Sequence, residues 1–169
     1  MTDWDPQVNV LDETQIRNNV LGFLRDTQAA AFVWAVNGGD ALPLIGDKSF
    51  HRAPRVVTKF PAITFLQTDH KAKWGEILEI DFNLVIEFAH IHGNQDIAAD
   101  RSPKYCMAIE SMLANVPETT FNQDSIIEIT STGMGIETTF DVQNKYKNQF
   151  IEVFQTRVNW HIEASAFNQ

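Results

Sequence analysis

The sequence predicts an α+β domain: a single antiparallel sheet of about four or five strands, including a long β-hairpin, packed on one face by two helices. Three observations predict it. Residues 76–92, EILEIDFNLVIEFAHIH, alternate with period two, and residues 150–164 do so again. Two other segments carry apolar residues at helical spacing, each bounded by capping or breaking residues. With one domain-sized chain of 169 residues and 44% hydrophobic content, these elements belong to one core, so residues 1–169 are read as a single domain with an irregular insertion at about 38–60.

The first helix is signalled by Asp12 as N-cap and Gln15 three positions later, a capping box, with Leu11 and Ile16 placed to close a hydrophobic staple. Ile16, Val20, Phe23 and Leu24 trace its buried stripe. Residues 29–31 extend the pattern, residues 32–36 fit either a last turn or a short strand, and Gly38-Gly39 ends the segment. The insertion that follows contains Pro43, Gly46 and Pro54, with a short strand expected at 55–58. Pro61 opens a strand through 62–67, and 68–75, TDHKAKWG, reads as the tip of a hairpin.

The long strand then places Leu78, Ile80, Phe82, Leu84, Ile86 and Phe88 on one face and Glu79, Asp81, Asn83 and Glu87 on the other. At about 3.3 Å per residue it reaches roughly 50 Å, longer than the usual strand, so its end is expected to overhang the core and to require a partner. Beyond Gly93-Asn94 a second helix is expected to start near Ser102, with Pro103 at its first position and Tyr105, Ile109, Met112, Leu113 and Val116 buried. Strands at 125–131 and 136–142 are expected around a turn at Gly133-Met134-Gly135. In the final strand Phe150, Phe154, Val158, Trp160 and Ile162 point one way, and Gln155, Arg157, Asn159, His161 and Glu163 the other.

No G-x-S-x-G elbow and no phosphate-cradling glycine loop occurs. His90 and His92 share one strand face, yet the nearby carboxylates Glu87 and Asp96 lie across the strand or past the Gly93 turn, so a third metal ligand is missing. These histidines are therefore expected where the buried face emerges into solvent or an interface. Cys106 is the only cysteine, which excludes an internal disulfide, and its place on the second helix predicts a buried, inert thiol. Neither a catalytic residue nor a cofactor is expected. The start, MTDWDPQVNV, lacks the pattern of a secretory leader, and no run resembles a membrane span, which points to the cytoplasm.

A net charge of −9 opposes gripping nucleic acid by its phosphates, while suiting a wall that DNA slides past. Glu79, Asp81 and Glu87 are the candidates for such a lining. His70, Lys71, Lys73 and Trp74, at the expected hairpin tip, are the candidates for a subunit or partner interface.

The order helix, proline-led strand (Arg55, Val56, then Phe60-Pro61-Ala62-Ile63), long hairpin over 62–92, helix at 102–116 and closing strands resembles the tail terminator and neck proteins of tailed bacteriophages. The resemblance spans residues 12–163 and rests on order and pattern; the 38–60 insertion is longer than that pattern has. It implies a virion structural protein, made in the host cytoplasm and forming a homo-oligomeric ring, usually a hexamer. Such a ring caps the tail tube protein and meets a neck or stopper protein, with DNA passing through unbound. A stopper-type component, or a small-ligand or metal-binding α+β domain, is the alternative.

Overall fold

The computed structural model describes residues 13–73, 75–117, 126–135, 145–146 and 149–165. The cap and staple at Leu11 and Asp12, the tip residue Trp74 and the strand expected at 136–142 lie outside these. The order is α1 (Glu13–Val36), β1 (Phe50–His51), β2 (Ala62–Lys73), β3 (Ile77–His92), α2 (Gln95–Ala114), β4 (Ile126–Gly135), β5 (Lys145–Tyr146) and β6 (Gln149–Ser165). Four long strands form one sheet in the order β2-β3-β6-β4, all neighbours antiparallel. Two-residue strands add to it: β1 parallel to β2, and β5 against β6. The fold is α+β, with both helices on one face, as the alternation predicts.

α1 forms one continuous helix because Ile16, Val20, Leu21, Leu24, Gln28, Phe32 and Ala35 bury one stripe, which resolves residues 32–36 as helix. It stops where Asn37 and Gly38 take positive φ (47° and 84°), a left-handed ending that glycine adopts without strain. The amide of buried Gln28 then accepts from Ile45 N (2.8 Å) and donates to Ile45 O (3.0 Å), tying the insertion to α1. Tyr105 Oη donates to Pro43 O at 2.9 Å and ties it to α2. The insertion has no strand at 55–58; its short strand is β1.

Helix α2 starts earlier than Ser102-Pro103 suggests. Asn94 caps it, its Oδ1 accepting from Asp96 N (2.8 Å) and Ile97 N (3.2 Å), directly after the Gly93 turn. Pro103 therefore lies inside the helix, where its missing N–H removes one backbone bond, and Ser102 is buried. Gly133, Met134 and Gly135 form no turn: they continue β4, paired with Asn159, Val158 and Arg157. A glycine pair flanking one residue does not by itself set a turn when the neighbouring strand offers partners.

The inner face of the sheet and both helices share one core. Phe82, Leu84, Ile86 and Phe88 of β3 and Phe154, Val158, Trp160 and Ile162 of β6 are all buried. Phe88 sits 4.7 Å from the Tyr105 ring and 5.1 Å from that of Phe154. Among the described side chains of β3, burial extends from Phe88 to Ile80, so less of the hairpin overhangs the core than its length suggests.

Candidate functional site on the hairpin

A bulge sets the geometry of this hairpin. Phe65 pairs with Ile86 and Gln67 with Val85, leaving Leu66 as an extra residue. Register partners share a face, so beyond the bulge Thr68, His70 and Ala72 join Leu84, Phe82 and Ile80 on the helix side. Asp69, Lys71 and Lys73 join Asn83, Asp81 and Glu79 on the outer side. The strand runs to Lys73, so His70, Lys71 and Lys73 belong to β2 itself and not to the hairpin tip. His70 Nδ1 pairs with Glu13 Oε1 in the first turn of α1.

The outer face is a polar ladder across β2, β3 and β6. Lys73 Nζ lies 3.5 Å from Glu79 Oε2, and Asn83 Nδ2 donates to Asp69 Oδ1 at 2.7 Å. His161 Nδ1 donates to Asp81 Oδ1 at 2.8 Å, and its Nε2 lies 3.5 Å from Glu163 Oε1. The hydrogen bond to Asp81 leads the causes that raise the His161 pKa. Gln155 Nε2 donates to Glu87 Oε2 at 3.2 Å. Glu79, Asp81 and Glu87 thus lie on one face, as read from parity, and their respective neighbours are a lysine, a histidine and an amide. His161 and Glu163 were legible only as polar-face residues of the last strand; the register with β3 brings them to Glu79 and Asp81.

On the helix side lies a second cluster. His90 pairs in register with Glu152, and both are buried with Ser102. His90 is not an emerging residue: it continues the face of Phe88 and is only 2% exposed. Its Nε2 lies 2.6 Å from Ser102 Oγ, which also bonds Glu152 Oε2, while Nδ1 has no partner among the described residues. The order that satisfies all three has Nε2–H donating to the hydroxyl and the hydroxyl donating to the carboxylate. A hydrolytic triad needs the reverse, with the acid on Nδ1 and the serine open to substrate; the three residues here serve as a buried polar link between α2 and the sheet. Burial, followed by the charges of Arg101 and His92, lowers the His90 pKa to about 4. His92 instead closes the turn, its Nδ1 accepting from Asn94 N at 2.9 Å.

Cys106 is buried, and burial together with its bond to Glu110 Oε1 (3.1 Å) pushes the thiol up to about 12. That suits an inert thiol rather than a nucleophile. Among the described residues no helix is long and apolar enough to cross a membrane. The chain matches no protein-family model and no curated protein.

Proposed function

We propose that this chain is a structural protein of the phage neck, forming a ring that terminates the tail tube and joins tail to head. One observation carries the reading. β1 covers β2 only at Ile63 and Thr64, so along residues 65–73 β2 is hydrogen-bonded to β3 on one side and meets no other strand among the described residues. An edge this long is a template for a further strand. The bulge, Lys71 and Lys73 discourage indiscriminate pairing, which favours a selective partner. A second copy using a different surface makes a heterologous contact, and such contacts close into rings, a hexamer in the proposed case. The order of elements supports the neck assignment, and exposed Val33, Trp34 and Leu44 beside an apolar groove of about 420 Å³ offer a further contact surface.

Replacing residues 69–74 by a short turn tests this. The parent is expected to self-associate by light scattering or to cap tail tubes in electron micrographs, and the shortened chain to stay a folded monomer. Assembly of the shortened chain at parental levels would remove the hairpin from the contact. A chain that binds the head side and leaves tube ends bare would be a stopper-type component.

Within this proposal Glu79, Asp81 and Glu87 border the channel, where their charge keeps DNA from sticking. Changing all three to lysine is expected to give the assembled ring a salt-sensitive affinity for duplex DNA that the parent lacks. No gain in an assembling variant places them on the outside.

A further inference from the structure

Glu79 and Glu163 face each other directly across the β3–β6 ladder, and His161 lies two residues before Glu163 on the same outer face. One nitrogen of His161 and one carboxylate oxygen from each glutamate lie within 4.8 Å of one another. We propose that these three side chains form a binding site for a divalent transition metal of the zinc class, stapling β3 to β6 near the free end of the hairpin.

The distances suit such an ion. Zinc binds histidine nitrogen and carboxylate oxygen at about 2.0–2.2 Å, which puts tetrahedral ligands about 3.4 Å apart. Binding therefore requires the three side chains to draw together. The donor set of one imidazole and two carboxylates is borderline in softness, which favours zinc and its neighbours over calcium or magnesium.

The orientation of His161 adds an observation separate from the acidic residues. Nδ1 is held by Asp81, which leaves Nε2, 3.5 Å from Glu163 Oε1, as the nitrogen a metal would take, in competition with a proton. A carboxylate on the far nitrogen is also the usual outer partner of a metal-bound histidine, fixing its tautomer and orientation. Asp81 is thus a positioning residue, not a ligand.

Access fits as well. The side chains of Glu79, His161 and Glu163 are 39%, 25% and 30% exposed, enough for an ion to enter and keep a water as fourth ligand. Lys73 lies 3.5 Å from Glu79, and its side chain is 83% exposed on a flexible stem. The inference stands independently of the neck proposal, because it uses only contacts within one chain.

Zinc chloride titrated calorimetrically into chelator-treated protein is expected to saturate at one equivalent, and cobalt to show the visible absorption of a four- or five-coordinate site. His161→Ala and the nearly isosteric Glu163→Gln should each weaken zinc binding at least a hundredfold. Asp81→Asn should weaken it about tenfold to a hundredfold, as loss of an outer partner does. Glu87→Gln, on the same face but outside the cluster, should leave it unchanged. Circular dichroism confirms that each variant is folded, and Glu163→Gln carries the test if His161→Ala is not. Absence of saturable one-equivalent binding overturns the site. So does binding that survives both His161→Ala and Glu163→Gln, which would place the ion on other histidines.

Discussion

Strands β3 and β6 bring a histidine and acidic residues together twice, on opposite faces of one sheet, and the two clusters behave in opposite ways. His90 and Glu152 lie on the helix side, sealed under α2 with Ser102 between them. His161, Asp81, Glu79 and Glu163 lie on the outer side, open to water. Burial lowers the pKa of His90 to about 4, whereas the hydrogen bond to Asp81 raises that of His161. The same residue types therefore make a sealed structural link in one place and an open, hydrogen-bonded surface in the other. Solvent access and pairing decide this, not the residue list.

The broadest test of the contrast compares the two faces at neighbouring positions. Phe82→Ala should destabilise by about 3 to 5 kcal/mol in urea unfolding, since the ring is fully buried, stacked near Trp160. Glu79→Ala should change stability by less than about 0.5 kcal/mol. Equal losses would show that the outer face is also covered in the isolated chain.

Acid should act through the inner cluster next. His90 has a folded pKa of about 4, below its unfolded value near 6.5. Between these pH values the unfolded chain binds a proton that the folded chain refuses, so stability is lost as pH falls through this window. The loss is on the order of 3 kcal/mol and is complete near pH 4. The groups facing His90 are Ser102, Glu152 at 3.6 Å, Tyr105, Arg101 and His92. His90→Gln keeps a donor for Ser102 and should flatten this part of the pH profile. An NMR titration placing His90 at or above pH 6.5 would contradict the account.

A smaller effect should come from Ser102→Ala, at about 1 to 3 kcal/mol, because both neighbours lose a hydrogen-bond partner in a site closed to water. A neutral result would mean that His90 and Glu152 close the gap and bond directly.

Alternation along residues 76–92 and 150–164 made the two main strands legible, with the faces correctly assigned for Phe82, Glu79, Trp160 and His161. The start of α2 was misread because Ser102-Pro103 imitates a helix beginning, while the actual cap, Asn94, stood directly after Gly93. Burial of His90 was available from its parity with Phe88, but its partner Glu152 is distant in sequence. The same holds for the outer cluster: Asp81 and His161 are 80 positions apart, and only the strand register joins them. Local periodicity reveals faces; it does not reveal which faces meet.

The unpaired Leu66 has a consequence beyond local shape. It works as a phase shift, so one continuous strand carries two independent reading frames of inside and outside. Residues 62–65 answer to the core, and residues 67–73 can change for the sake of a neighbour without disturbing it. A regular ladder with Leu66 paired to Val85 would invert the second frame, whereas deleting Leu66 would leave the present register intact. In that slipped ladder Lys71 would lie opposite Ile80 on the helix side, and His70 would leave Glu13 to join Asp81 on the outer face. A whole surface of the protein thus hangs on one irregular step in the ladder, at a residue left out of the pairing.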